Sequence, residues 1–296
     1  MKLPIISLLL YASVSLSSAF AQEPGTLDKI KKDGVVTLGV RESAIPFSYY
    51  DDNQHIIGYS ADLCSLVVAA IKQKLNLPNL TVKEIPTTPQ NRLPLIINGT
   101  VDLECGSTTN NLAREKQVAF SDTTFVIATR LLVKKNSGIK DFSDLAGKNV
   151  VTTAGTTPEQ ILREMNHKND MHMNIISAKD HAESWLTMKG GRASGFFIDD
   201  ALLYGQLAKA PDRTEYEIVG KPQSFEAYAL VMRKDDPQFR ALVNDTLQQV
   251  MKSGKANQLY IKWFMSAIPP KGINLNFPLS DALKDAYAHP NDKPFQ

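Results

Sequence analysis

DLECGSTTNNLAREK, residues 102–116, is the stretch on which the fold turns. An apolar, strand-like segment ends in small hydroxyl residues and passes into a helix that places Arg114 near its start. Free backbone N–H groups at a helix N-terminus, the hydroxyls of Ser107, Thr108 and Thr109, and a guanidinium fork together suit a planar carboxylate or a phosphate. Taken alone, the stretch favours a plainer reading, an ordinary strand-to-helix turn with Ser and Thr as caps. The flanking sequence has to decide.

Upstream, 26–32 reads as a short amphipathic helix stopped by Gly34. Next, 35–40 (VVTLGV) is a mostly apolar, β-branched run suited to a strand covered on both faces. It ends at Arg41, and open α/β sheets place their ligand crevices at the carboxyl ends of strands. A surface Arg with a solvated head is the even alternative. The aromatics of 45–50 (IPFSYY) suit a core, and 56–59 a return strand. From Ser60, taken as its cap, a helix carries the apolar stripe Leu63, Leu66, Val67, Ala70 and Ile71. The segment 80–85 (LTVKEI) alternates as a strand, and 90–98 reads as a short helix with Pro94 tolerated near its first turn. Arg92 then lies at the positive end of that helix dipole, which disfavours it by a few tenths of a kcal/mol or more unless an internal acid or a bound anion is near. After Gly99, 101–106 is the strand that leads into the opening stretch.

Downstream, the β-branched run 123–133 is longer than a typical strand needs and suits a crossing from one lobe to another near 128–130. The second half repeats the first. A strand over 149–153 (NVVTT) and a turn over 154–156 lead to a helix with Thr157 as N-cap and Pro158 at its first position. The strand 173–177 leads to Asp180-His181-Ala182-Glu183, a capping-box-like start of a helix that stops at Gly190-Gly191. His181 sits in the first turn, where the dipole disfavours its cation, and a lone His is ordinarily structural. The apolar strand 193–198 ends at Asp199-Asp200; one acid can cap the next helix while the other faces a cleft and takes a cation or an ammonium group. Strands follow at 216–219 and 226–232 (EAYALVM), the second being the return crossing. Helices over 238–252 and 256–264, a Pro- and Asn-rich tail over 269–278 and a last helix from Ser280 complete the chain.

This alternation predicts an α/β fold of two lobes with mostly parallel sheets, joined by two hinge strands with the ligand cleft between them. Lobe 1 comprises 22–128 and 229–296, and lobe 2 comprises 129–228. The 296 residues, 43% hydrophobic and 22% charged, are enough for one large core or two moderate ones. Residues 1–21 have the layout of a cleaved secretory signal peptide, with a basic start, an apolar run and Ala19-Phe20-Ala21, so export to the periplasm is expected. No later window holds the roughly 18 apolar residues that a membrane span requires. A formal charge of +2 without a basic, aromatic-interleaved cluster argues against nucleic acid. Cys64 in a helix and Cys105 at a strand end could pair only if that helix packs beside that strand, and both are expected as buried thiols.

H-E-x-x-H, G-x-S-x-G, Walker-A and paired C-x-x-C patterns are absent from the sequence, and the histidines show no metal-ligand spacing, so neither metal nor cofactor is expected. The nearest catalytic arrangement joins His181 to Asp199 or Glu183 as an acid/base pair. Arginines, hydroxyls and an acid without an activated nucleophile are the residues of recognition, and binding is favoured over catalysis.

GVxxLGxRESxxPFSYYD (34–51), QNRxPLxxNGT (90–100), ECGSTTN (104–110), GTT (155–157), ISAKDH (176–181), DDALL (199–203) and WFxxxIPP (263–270) occur in one order along the chain. Over nearly all of its mature length the sequence resembles the periplasmic solute-binding proteins for polar amino acids that serve ABC importers, most closely the members for glutamate and aspartate. The resemblance implies that Arg114, Ser107 and Thr109 hold the α-carboxylate of L-glutamate or L-aspartate, with Thr157 assisting from the other lobe, and that Asp199 holds the α-ammonium. It also implies that Arg41, Arg92 and His181 surround the second carboxylate, which would raise the pKa of His181. A monomer that meets an inner-membrane ABC permease transiently is expected. Pro89 departs from the Ser that such members tend to carry, a loss of one ligand hydroxyl. The runner-up is an enzyme on the same fold, such as a cyclohexadienyl (prephenate/arogenate) dehydratase with His181 or Asp199 as acid/base.

Overall fold

In the computed structural model, which describes residues 25–294, the chain begins with α1 (Thr26–Asp33). The expected signal peptide lies outside the described residues. Gly34 closes α1 at φ 66°, a left-handed cap that returns its N–H to Ile30 O. β1 (Val35–Arg41) follows, buried from Val36 onward. β2 (Ser43–Ala44), β3 (Ser48–Tyr50) and β4 (Ile56–Ile57) form a small separate sheet. α2 (Tyr59–Leu75) starts one residue before Ser60, which is not its cap. The carbonyls of Pro46 and Phe47 accept the N–H groups of Tyr59 and Ser60, so loop backbone caps the helix. The Ser60 hydroxyl is thereby free to donate to Gly106 O at 2.7 Å.

The first half continues through β5 (Thr81–Thr87), α3 (Arg92–Ile97), β6 (Leu103–Asn110), α4 (Leu112–Glu115), β7 (Val118–Phe120) and β8 (Phe125–Lys134). The second holds β9 (Asn149–Thr153), α5 (Thr157–Lys168), β10 (Asn174–Ala178), α6 (His181–Lys189), β11 (Gly195–Asp199), α7 (Asp200–Lys209), β12 (Tyr216–Val219) and β13 (Phe225–Arg233). The chain then forms α8 (Pro237–Lys252), α9 (Lys255–Phe264), β14 (Ala267–Ile268), β15 (Ile273–Asn274) and α10 (Asp281–Ala288).

The stretch 102–116 departs from expectation in one respect. β6 does not stop at Gly106 but runs through Ser107, Thr108 and Thr109 to Asn110, and α4 is a single turn capped by Asn111. Antiparallel pairing with β13 (Tyr228↔Thr109, Ala229↔Thr108) extends the strand. The hydroxyls therefore stand on a strand and not at a helix N-terminus. A second correction concerns α5: Thr156, whose hydroxyl accepts from Glu159 N, is the N-cap, and Thr157 is the first helical residue. Its hydroxyl is released from capping.

The strands pair in one path, β10-β9-β11-β8-β13-β6-β1-β5. β5-β1-β6 is parallel at one end and β10-β9-β11 at the other, which gives the two lobes. Between them β8 and β13 pair antiparallel from Phe225↔Ala128 to Tyr228↔Phe125. Beyond that contact β8 joins β11 and β12, whereas β13 joins β6 and β7. Each long strand thus belongs to both sheets.

One core surrounds Phe125, stacked 4.7 Å from Phe264 and edge-on at 4.9 Å to Phe47, which ties the start of β8 to α9. A second, comprising Leu131, Val150, Leu162 and Phe197 among others, fills the other lobe. The expectation of buried thiols is overturned: α2 packs on β6 and Cys64 is bonded to Cys105, with Cα atoms 6.1 Å apart. Among the described residues no helix is long and apolar enough to cross a membrane.

Candidate functional site

Most of the expected site residues stand near the end of a strand or the start of a helix, and Arg114 lies in the single turn α4. Arg41 ends β1, Asp199 ends β11, and Ser107 and Thr109 lie in the last half of β6; Arg92, Thr157 and His181 open α3, α5 and α6. Arg41, Arg92, Ser107, Thr109, Thr157, His181 and Asp199 line one small cavity of about 10 Å³, with Thr156 and Leu202 completing its wall. That is room for about one water. A larger open depression of about 770 Å³ beside Lys234–Pro237 holds none of these residues and none of the unpartnered atoms described below.

The three arginines are buried together. Arg41 places Nη2 3.3 Å from His181 Nε2, while its Nη1 has no partner. Burial, then the neighbouring charge of Arg92, lowers its pKa to about 10, which leaves it cationic at neutral pH. Arg92 donates from Nη1 to Ser107 O at 3.0 Å and leaves Nε unpartnered. Burial lowers its pKa too, opposed chiefly by Glu104, the buried acid that also offsets Arg41. Gly106 makes this packing possible, because a Cβ there would lie 2.3 Å from Glu104 Oε1 and 2.7 Å from Arg41 Cγ. Arg114 stands outside the cavity wall. It donates to Thr109 O at 2.8 Å and, across the cleft, to Gly155 O at 3.2 Å, with its pKa lowered to about 10 by burial and Arg92.

His181 departs from the expectation of a raised pKa. Burial, then Arg41 and Arg92, push it well below 6.5, so the ring is neutral. A guanidinium can only donate; Nε2 is therefore the acceptor, and Nδ1 carries the proton toward Thr153 Oγ1 at 2.9 Å. Both nitrogens are occupied, Glu183 accepts from Lys179 N, and Asp199 accepts from Tyr228 OH at 2.6 Å, so the acid/base pair of the enzyme alternative is not formed. Asp199 Oδ1 has no partner, and burial together with Glu226 raises the Asp199 pKa well above the usual carboxylate range. Asp200 turns away to accept the N–H of Ala201 at 2.8 Å, leaving Asp199 to the cleft.

Sequence reasoning missed Glu104, Glu226 and Tyr228. Glu226 Oε2 accepts from Thr109 Oγ1 at 2.5 Å and Thr157 Oγ1 at 2.6 Å. The signal was an acid in a mostly apolar strand sequence, Glu104 in LEC and Glu226 at the start of EAYALVM.

The sequence matches the family of bacterial extracellular solute-binding proteins, family 3, over residues 36–266. It is 54% identical over 290 residues to the glutamate/aspartate import solute-binding protein of Escherichia coli strain K12, covering 98% of this chain and 96% of that one. It is 52% identical over 291 residues to the L-glutamate/L-aspartate-binding protein of Pseudomonas aeruginosa PAO1, covering 98% and 96%. Among solved structures, an ancestral amino acid-binding protein described as a precursor of cyclohexadienyl dehydratase superposes with a TM-score of 0.69 at 29% identity, covering 80% of this chain and 99% of that one.

Proposed function

We propose that this chain, which belongs to the bacterial extracellular solute-binding proteins, family 3, binds L-glutamate and L-aspartate in the periplasm and delivers them to an ABC permease of the inner membrane. The observation that carries the reading is the set of unpartnered buried atoms. Arg41 Nη1, Arg92 Nε, Ser107 Oγ and Asp199 Oδ1 are unpartnered, and all four residues line one cavity. Each such atom costs about 1–3 kcal/mol if it stays unmet, more when charged. A ligand that meets them all carries both negative and positive charge, as an amino acid does. Arg114, Ser107 and Thr109 receive its α-carboxylate with Thr157 assisting, Asp199 its ammonium, and Arg41 and Arg92 its side-chain carboxylate, with neutral His181 orienting Arg41.

The similarity to proteins named for glutamate and aspartate supports the same reading, and their names describe transport rather than catalysis. Of the described residues, 25–128 with 229–294 form one lobe and 129–228 the other, turning about β8 and β13. The pairing of Ala227 and Tyr228 with β6 favours a second boundary nearer Phe225. The small cavity of about 10 Å³ supports lobes that part to admit the ligand and close on it.

Calorimetric titration with L-glutamate, L-aspartate, L-glutamine and L-arginine tests the assignment. Micromolar or tighter binding of the two acids, about 8 kcal/mol or more, is expected. Tighter binding of glutamine than of both acids would overturn it.

A further inference from the structure

We infer that Tyr228 is the positioning residue of the ammonium site: rooted in the first lobe, its hydroxyl holds the Asp199 carboxylate of the second, so that the site is complete only when the lobes meet. The inference rests on the reading of the cleft as an acidic amino-acid site. Tyr228 is buried in β13, opposite Thr109 of β6 and Phe125 of β8 in register. Its ring lies 5.2 Å from that of Phe47 and 6.4 Å from that of Phe125, within the core that surrounds Phe125. Asp199 ends β11, opposite Thr129 of β8, in the second lobe. The 2.6 Å hydrogen bond from Tyr228 OH to Asp199 Oδ2 therefore joins one lobe to the other.

The bond decides which oxygen faces the ligand. An aspartate carboxylate can turn about its side-chain torsions, and Asp199 does not use its oxygens to cap α7. With Oδ2 held by the phenol, Oδ1 is left unpartnered, and the residue lines the cavity, where an ammonium can meet it. Burial, then the charge of Asp199, raises the Tyr228 pKa well above the usual phenol range, so the hydroxyl keeps its proton and is the donor. Burial and Glu226 push Asp199 toward its neutral acid, and the hydrogen bond from Tyr228 opposes both. Closure strips water from Asp199, and the phenol supplies the donor that a buried carboxylate needs in its place. Its contribution thus falls on the closed state, the one that binds ligand more tightly.

The test measures L-glutamate binding by calorimetry in wild type, Tyr228→Phe, Asp199→Ala and the double variant, with millimolar ligand for the weak binders. Tyr228→Phe keeps the ring and removes only the hydroxyl. It should bind at least about tenfold more weakly than wild type, the loss of a hydrogen bond to a charged group. In the Asp199→Ala background the same substitution should cost less than about twofold, since the partner of the hydroxyl is already gone. A merely structural role for the phenol would cost the same factor in both backgrounds. That result would overturn the inference alone, as would wild-type affinity in Tyr228→Phe. Failure of the wild type to bind any acidic amino acid would instead overturn the reading of the cleft, and this inference with it. Should Tyr228→Phe not fold, Tyr228→Met, which also removes the hydroxyl, decides by the same comparison.

Discussion

Arg92 opens α3 with its guanidinium buried and its Nε unmet, a position in which cationic charge is disfavoured both by burial and by the helix dipole. A bound side-chain carboxylate relieves both, whereas a carboxamide supplies no charge. Arg92→Ala should therefore weaken L-glutamate binding by at least about tenfold more than L-glutamine binding, measured by calorimetry, and equal losses would remove its role in selectivity. His181 gives a pH signature. Its folded pKa lies well below 6.5, so as pH falls through 6.5 the unfolded chain takes up a proton that the folded ring refuses. Stability from this residue is complete above pH 6.5 and is lost on acidification. Melting temperatures measured from pH 7 to pH 5 should fall less steeply in His181→Gln than in wild type. In the sequence, Arg92 at a helix start called for a partner that the local chain does not supply, whereas Arg41 and the hydroxyls of 107–109 stayed open by position alone and were joined into one site by the family resemblance. Glu226 and Tyr228 were not legible, because in EAYALVM alternation alone cannot tell a solvated face from one buried by a strand crossing between lobes.

At the scale of elements, the junction of α2 with β6 carries most of what sequence periodicity could not decide. Whether Cys64 and Cys105 meet depends on which helix covers which strand, a tertiary fact that spacing does not encode. The bond closes a separation of 41 residues, and in the chain-entropy picture it stabilises the fold by about 3–4 kcal/mol. Urea unfolding of the Cys64→Ala/Cys105→Ala double variant should show a loss of that order, and a loss below about 1 kcal/mol would show that the packing of α2 on β6 suffices without the bond. The extension of β6 to Asn110 has a similar origin. Its hydroxyl run reads locally as a turn, but the β13 ladder keeps it extended, and this sets Ser107 and Thr109 on the cleft while Thr108 donates to Glu104. The order of strands and helices was legible in the sequence, as their periodicities are local. Caps were less so, since those of α2 and α5 depend on neighbouring backbone or on a one-residue shift.

For the whole molecule the central property is closure, and its contacts lie partly outside the ligand site. α7 of the second lobe presses on the first at Ser43 and Ile45: Gln206 Nε2 donates to Ser43 O at 2.9 Å, and a Cβ on Gly205 would come within 2.1 Å of Ile45 O. Gly205→Ala should favour α7 as a helix by up to about 1 kcal/mol while preventing full closure. The expected result is a melting temperature unchanged or raised, with L-glutamate binding weakened at least about fivefold through the closed state alone. Affinity equal to wild type would show that α7 does not meet Ile45 in the bound form. A crystal structure with L-glutamate tests the account most directly. It should place the side-chain carboxylate within hydrogen-bonding reach of Arg41 and Arg92, the α-carboxylate against Thr109, Thr157 and Arg114, and the ammonium on Asp199. A ligand bound in the reverse orientation, with its α-carboxylate on Arg41 and Arg92, would contradict it.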